Sequence, residues 1–320
     1  MQQHRKVLVT GGSGFVGWAL LQRLAVRSDL QLCAWARRPG SLPAGISELP
    51  MGAGATGRLV EPGTEVVLHC AGRAHVMHET AGDPLAEFRR TNVQLTLELA
   101  HQAVQARVRR FIFLSSVKVN GEVTASGAAF SEADVAAPAD AYALSKWEAE
   151  QALRDLAANS SLEVVIIRTP LVYGPGVKAN FQNLMRWLKA GVPLPFGAVR
   201  NRRSLVALDN LVDLLVLCMD HPCAANELFL VADGDDVSTA ELVRRVSRAL
   251  EVSPRLLPVP PLMLAALARV CRREALYERL CGSLQVDAGK ARRVLGWSPP
   301  VLMEQALLRT AEDFLQRCGR

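Results

Sequence analysis

One glycine-rich run near the amino terminus constrains this 320-residue chain more than any other feature. It reads Gly11-Gly12-Ser13-Gly14-Phe15-Val16-Gly17 and follows a short, mostly apolar stretch at residues 6–10. After it, apolar residues recur at spacings of three and four over residues 15–27, which predicts a helix. Glycine permits a tight turn, close approach of the backbone to a pyrophosphate, and close packing of helix on strand. We therefore predict a dinucleotide-binding turn, with the phosphates at the helix amino terminus.

The rest of the first half alternates short apolar runs with amphipathic stretches. This pattern is typical of a parallel sheet with crossover helices. We predict strands at residues 6–10, 31–35, 66–70, 110–114 and 164–168, and further helices at 84–107 and 141–158. Asp83 before Pro84 predicts a capped helix start. The expected fold class is α/β, a doubly wound parallel sheet of the Rossmann type.

The second half has shorter elements and loops rich in glycine and proline. We predict helices at 210–220 and 238–250 and a strand at 227–231. Residues 1–170 are expected to form the NAD(P)-binding domain. Residues 171–320 are expected to form mainly a smaller, interleaved substrate-binding lobe, with 205–232 returning to the main sheet. Residues 256–270 are the most hydrophobic part; they could dock on a membrane surface, but we expect them to pack against the sheet or a partner.

Composition excludes several classes of protein. No run of about 18 apolar residues is present, so we expect no membrane-spanning helix, and the first apolar stretch is too short for a signal peptide. Seven scattered cysteines favour a reducing cytoplasm over disulfides, and we expect no metal site. The net charge of +6 is spread along helices, so we expect a solvated surface rather than a nucleic-acid partner.

The end of the second strand bears on the choice of cofactor. An acidic residue there would bind the ribose hydroxyls of NAD, but the sequence has Arg37 and Arg38 and no acid. Guanidinium groups suit a 2′-phosphate, because they combine charge with paired donors. The sequence therefore favours NADP(H), with NAD(H) as the alternative.

Three polar residues form a candidate catalytic set. The four-residue spacing of Tyr142 and Lys146 puts them on one helix face. An ammonium nearby favours a phenolate, so we expect Lys146 to lower the pKa of Tyr142 and make it a proton carrier. Ser116 ends a predicted strand, where ligands sit in such sheets, and could bind the substrate oxygen beside the tyrosine.

Taken together, the motifs of this chain resemble those of the extended short-chain dehydrogenase/reductases, which form the NAD-dependent epimerase/dehydratase family. The resemblance runs through the glycine turn, His69-Cys70-Ala71-Gly72, Ser115-Ser116, the Tyr142/Lys146 pair, Arg168 to Pro175 and Asp287 to Pro299. It implies activity on a nucleotide sugar, and family members often form homodimers through helices corresponding to 84–107 and 141–158.

The resemblance also implies roles for matched positions. Ser116, Tyr142 and Lys146 correspond to the catalytic triad. The glycine turn holds the dinucleotide together with Ala71, Gly72, Tyr142 and Lys146. Asn92 matches a structural asparagine of the family. Arg202 matches an arginine that holds the nucleotide diphosphate, and Asn180 lies in a segment that contacts substrate in the family.

Departures from the family pattern reduce the number of reactions that we expect the protein to catalyse. Val117-Lys118 follows Ser116, which disfavours a dehydratase and places a lysine near the substrate. Arg37 suggests a consumed NADPH, hence reduction, and the sequence is similar to bacterial surface-polysaccharide enzymes that reduce a UDP-4-keto-6-deoxy sugar. This resemblance implies reduction of the C4 ketone of a UDP-4-keto-6-deoxy-N-acetylhexosamine for surface-polysaccharide (O-antigen) synthesis. The alternative is a UDP-sugar 4-epimerase with tightly bound NAD. A dinucleotide-sensing regulator is the non-enzyme alternative, which the complete triad disfavours.

Overall fold

A computed structural model describes residues 4–36, 40–50, 60–74 and 83–318. Its main sheet has seven parallel strands in the order β3-β2-β1-β4-β5-β6-β9. These strands are β1 (Arg5–Thr10), β2 (Leu30–Ala36), β3 (Ser47–Pro50), β4 (Thr64–His69), β5 (Arg110–Ser116), β6 (Glu163–Thr169) and β9 (Leu228–Leu230). Two short strands, β7 (Leu171–Tyr173) and β8 (Leu205–Ala207), pair in a separate parallel ribbon. The predicted doubly wound α/β fold is confirmed.

Helices cover both faces of the main sheet and build the carboxyl-terminal part. They are α1 (Phe15–Ala25), α2 (Pro84–Arg89), α3 (Leu95–Gln105), α4 (Ala141–Ala158), α5 (Ala179–Lys189), α6 (Leu208–Asp220), α7 (Thr239–Ala249), α8 (Pro261–Val270), α9 (Glu274–Cys281), α10 (Gly289–Leu295) and α11 (Met303–Cys318). One π-helical turn, Arg90–Gln94, joins α2 to α3. Asp83 caps α2 by accepting a hydrogen bond from Ala86 N at 3.0 Å, as predicted.

Alternate residues of each strand contribute to two apolar layers, one on each face of the sheet, because successive side chains point to opposite faces. Val7 and Val9 pack with α1 and α6 on one face. Leu8 packs with α3 and α4 on the other. A third cluster, which includes Tyr173 and Phe314, joins β7, β8, α5, α7 and α11. The helices therefore sandwich the sheet and leave its carboxyl edge free to carry a site.

The carboxyl-terminal half returns to the main sheet through β9, which pairs with β6. The division of the chain at residue 170 stays a prediction.

Residues 256–270 do not pack against the sheet, since neither α8 nor α9 has a buried residue; packing against a partner stays a prediction. Hydrophobicity alone could not show whether another part of the chain covers this segment. Among the helices of the described ranges, none has the length and apolarity to cross a membrane.

Candidate active site

The turn between β1 and α1 admits only glycine at two positions. Gly11 has a φ of 72°, and a Cβ there would lie 2.7 Å from the backbone nitrogen of Ala71. A Cβ on Gly17 would lie 2.2 Å from the Gly11 carbonyl oxygen. Both clashes are with backbone, which cannot swing away as a side chain can. These glycines therefore set the close approach of α1 to β1 and β4.

The amino terminus of α1 is open to an anion. Its cap is Gly14, which offers no side-chain hydrogen bond, and its first turn contains no acidic residue. The first backbone N–H groups of a helix lack partners within the helix and attract phosphate. The strand order of the sheet reverses between β1 and β4, and ligands of such sheets bind at that switch point. The residues fit a dinucleotide pyrophosphate; Arg37 and Arg38 lie outside the described residues.

Ser116, Tyr142 and Lys146 meet at the carboxyl end of β5. Ser116 is the last residue of that strand. Tyr142, in the first turn of α4, lies close enough for the Ser116 hydroxyl to lower its pKa. The ammonium of Lys146, one turn further on, donates to the Leu114 carbonyl oxygen at 2.9 Å. It also lies 4.4 Å from the centre of the Phe113 ring. The structure thus brings the three predicted catalytic residues to one place.

Burial controls the ionisation of this set. It raises the pKa of Tyr142 to about 12, although the hydrogen bond with Ser116 lowers it; the charge of Asp140 raises it further. Burial also lowers the pKa of Lys146 to about 8, against the opposing effects of Cys70 and Glu150. The expected lowering of the Tyr142 pKa by Lys146 is therefore not seen, because the largest influence on this pKa is desolvation, which disfavours the phenolate.

A buried ion pair holds α4 against the sheet. Glu150, which is fully buried, accepts three hydrogen bonds from the Arg168 guanidinium at 2.6, 2.9 and 3.2 Å and one from Ser115 Oγ at 2.5 Å. Arg168 also donates to Asn120 Oδ1 at 2.9 Å. The network ties β5, β6 and the turn after Ser116 to the helix that carries Tyr142.

The π-helical turn places Asn92 under the site. Its amide nitrogen donates to Ser145 Oγ at 3.0 Å and to the Arg73 carbonyl oxygen at 3.1 Å, and its amide oxygen accepts from Arg73 N at 2.7 Å. A Cβ on Gly72 would lie 3.3 Å from both Asn92 Oδ1 and Lys146 Nζ. Asn92 therefore fixes the strand-end backbone against α4. π-helical turns are frequently found at functional sites.

The role of His69 was missed by the sequence reasoning, which quoted it only within a motif. Its Nδ1 lies 2.6 Å from Thr10 Oγ1, and its Nε2 lies 2.8 Å from Thr96 Oγ1. Thr96 donates to the Asn92 carbonyl oxygen, so it accepts from Nε2–H and Nδ1 accepts from Thr10. Burial, with the charge of Lys146, lowers the pKa of His69 to about 3. This histidine is a neutral link between β1, β4 and α3.

Lys118 sits beside the candidate triad, with its charge shared by two acids. Its ammonium lies 2.6 Å from Glu122 Oε1 and 2.7 Å from Asp140 Oδ2. Asp140 also caps α4 by accepting from Ala143 N at 2.7 Å. The lysine thus links the turn after Ser116 to the start of the Tyr142 helix.

The segment that carries Arg202, the predicted diphosphate-binding arginine, contains a second arginine that the sequence reasoning missed. Arg202 and Asn180 are both exposed. The neighbouring Arg203 is partly buried, donates to the Gly282 carbonyl oxygen at 3.0 Å, and lies in the electrostatic field of Glu122. Burial lowers the pKa of Arg203. Its adjacency to Arg202 was a signal, but sequence spacing alone could not tell which arginine turns inward.

A comparison with protein families finds that the model of the NAD-dependent epimerase/dehydratase family matches residues 7–232. The chain belongs to this family. Membership confirms the resemblance carried by the motifs, and it identifies the chain as an enzyme of a family that uses NAD.

Individual relatives cover most of the chain. UDP-glucose 4-epimerase of Vibrio cholerae is 46% identical over 99% of this chain and 97% of its own. The N-acetyl-alpha-D-glucosaminyl-diphospho-ditrans,octacis-undecaprenol 4-epimerase of Escherichia coli O157:H7 is 26% identical over 73% of this chain and 74% of its own. Among solved structures, MoeE5 in complex with UDP-glucose and NAD is 26% identical, with a TM-score of 0.77 over 98% of this chain and 100% of its own.

Proposed function

We propose that this protein interconverts the C4 epimers of a UDP-sugar and keeps NAD bound through the whole cycle. The observation that carries the proposal is the meeting of Ser116, Tyr142 and Lys146 at the carboxyl end of β5, where the Lys146 ammonium donates to the Leu114 carbonyl oxygen. The Vibrio relative, which is similar over almost the whole chain, is named for this reaction, and MoeE5 binds UDP-glucose and NAD.

Tyr142 moves the proton. Its phenolate takes the proton of the sugar 4-hydroxyl as hydride leaves C4, and returns it after the sugar has presented its other face. When bound, NAD supplies the hydride acceptor and donor, and the positive charge of its oxidised form favours the phenolate. Ser116 donates a hydrogen bond to the sugar oxygen. Lys146 lies against Gly72 at the floor of the cofactor site and adds positive charge there.

Charged residues around the triad bind the diphosphate. Arg203 is the main candidate, because its guanidinium is partly buried and lies near Glu122, the partner of Lys118. Arg202 and Asn180 contribute from exposed positions, and Lys118 contacts the substrate from the turn after Ser116. A guanidinium suits a diphosphate because its donors form a planar fork.

Reduction of a UDP-4-keto-6-deoxy-N-acetylhexosamine with NADPH is the second candidate. Arg37 and Arg38, with no acid at the end of β2, favour it. The named 4-epimerase activity of the Vibrio relative supports the epimerase more strongly, so NAD is the preferred cofactor of this proposal.

One pair of assays separates the candidates. Purified protein is given UDP-glucose or UDP-N-acetylglucosamine without added cofactor, and chromatography follows the galacto epimers. Denatured protein is analysed for released NAD. We expect epimers and released NAD. Absence of both, with oxidation of added NADPH in the presence of the 4-keto sugar, would establish the reductase instead.

A further inference from the structure

The α8–α9 hairpin (residues 261–281) presents an apolar face that the other residues described by the structure leave uncovered. Leu262, Met263, Leu267 and Val270 are between 61% and 85% exposed. Their spacing places them along one side of α8. The two helices pack on each other, and neither contains a buried residue. A face of this kind commonly marks an interaction site.

The charge of this segment indicates the partner. Residues 252–273 contain no acid and four arginines, all exposed: Arg255, Arg269, Arg272 and Arg273. Acids flank the segment at Glu251, Glu274 and Glu278. An apolar helix face bordered by arginine is the pattern that binds an anionic lipid surface.

The same charges argue against a second copy of this chain. In a two-fold dimer the same patch meets itself, so the arginines at the tip of one hairpin would be brought toward those of the other. The length of the hairpin also sets the mode of membrane contact. α8 has 10 residues, which at about 1.5 Å per residue is half the thickness of a bilayer core. The hairpin can therefore lie in the membrane interface, but it is too short to span the bilayer.

The base of the hairpin is fastened to the candidate substrate side. Asn201 Nδ2 donates to the Gly282 carbonyl oxygen at 2.8 Å, and Leu284 N donates to the Arg202 carbonyl oxygen at 2.8 Å. Before α8, Gly197 N donates to the Leu257 carbonyl oxygen at 2.9 Å. A membrane bound to the hairpin would therefore lie beside the segment before β8 that carries Arg202 and Arg203.

The geometry points to a peripheral membrane enzyme: the α8–α9 hairpin docks on the surface of an anionic lipid bilayer, with Leu262, Met263, Leu267 and Val270 in the interface and the arginines on the headgroups. This docking does not depend on which sugar reaction the site performs. Resting on the proposed function, the docking also places Arg202 and Arg203, the proposed diphosphate ligands, close to the lipid surface.

Co-sedimentation of the full-length protein with vesicles tests this inference. One vesicle contains equal phosphatidylglycerol and phosphatidylcholine, and the other contains phosphatidylcholine alone. We expect binding to the first, weakened by high salt, and little binding to the second. The double variant Leu262→Glu/Leu267→Glu should lose binding. Val26→Glu/Leu302→Glu, which adds the same charge at exposed apolar positions elsewhere, should keep it.

The arginines give an independent measurement. Arg272→Gln/Arg273→Gln leaves the apolar face intact and should weaken binding to the anionic vesicle roughly fivefold for each arginine removed. Far-ultraviolet circular dichroism and sugar turnover check that each variant is folded. The inference is overturned if the folded wild-type protein fails to sediment with anionic vesicles, or if both glutamate variants lose binding equally. It is also overturned if light scattering shows a dimer that Leu262→Glu/Leu267→Glu dissociates while vesicles bind neither form.

Discussion

The ammonium of Lys118 lies 2.7 Å from the carboxylate of Asp140, two residues before Tyr142. This pair neutralises an acid whose charge raises the pKa of Tyr142, the proposed proton carrier. Lys118 therefore influences the pKa of Tyr142 through Asp140, in addition to its proposed contact with substrate.

Replacing Lys118 and replacing Asp140 should shift the pH dependence of turnover in opposite directions. Lys118→Met leaves Asp140 unneutralised, which disfavours the phenolate, raises the pKa of Tyr142 and moves the acidic limb of kcat to higher pH. Asp140→Asn removes the negative charge, keeps a good helix cap, and should move the limb to lower pH. Profiles of kcat against pH measure both. Shifts of the same sign would contradict the account.

Removal of the Tyr142 hydroxyl should stop turnover without loss of cofactor. General acid–base catalysis contributes about 10²- to 10⁴-fold, so Tyr142→Phe should lower kcat by about that factor, because it removes only the proton carrier. Bound NAD is measured after denaturation. Tyr277→Phe, on α9, is the matched control and should keep wild-type kcat. A Tyr142→Phe enzyme with normal kcat would refute the assignment.

Arg168→Met should destabilise the fold, because it leaves the fully buried Glu150 without its cation. Breaking such a pair costs about 3–5 kcal/mol, which urea unfolding can measure. Arg154→Met is the control. Arg154 lies 3.9 Å from the same carboxylate but is half exposed, so its loss should cost about 1 kcal/mol or less. Equal losses of unfolding free energy in the two variants would show that the buried network does not hold α4 against the sheet.

Gly17→Ala should abolish NAD retention, since its Cβ would lie 2.2 Å from a backbone oxygen and α1 must shift. Gly127→Ala is the control: it has a φ of 77° and open space around it, so it should cost about 1–2 kcal/mol of strain and leave NAD bound. The NAD content of each purified variant gives the answer. Full retention by Gly17→Ala would contradict the proposed phosphate cradle.

Local patterns predicted the sheet well and the tertiary partners poorly. Strands β1, β2, β4, β5 and β6 and helices α1 and α4 fall within a few residues of their predicted limits, because apolar periodicity and glycine placement are local signals. The three-residue strands β7 and β8 carry too little pattern to detect. The π-helical turn at Asn92 depends on contacts with Arg73 and Ser145 that no local pattern encodes.

The candidate site shows the same limit, because local sequence patterns do not encode its tertiary contacts. The glycine turn and the Tyr142/Lys146 pair follow from spacing. The pKa of Tyr142 depends on burial, the partner of Glu150 lies 18 residues away in another element, and the inward turn of Arg203 depends on Gly282. The homodimer and the cytoplasmic location stay predictions.

Retention of one hydride through the cycle is the central claim, and an isotope measurement tests it most directly. The protein is incubated with UDP-sugar deuterated at C4, without added cofactor, and the epimeric product is analysed by mass spectrometry. An enzyme that keeps its NAD returns the same deuteride to C4, so the account predicts product that retains the label. Product that has lost the deuterium, or label that passes into added cofactor, would contradict it.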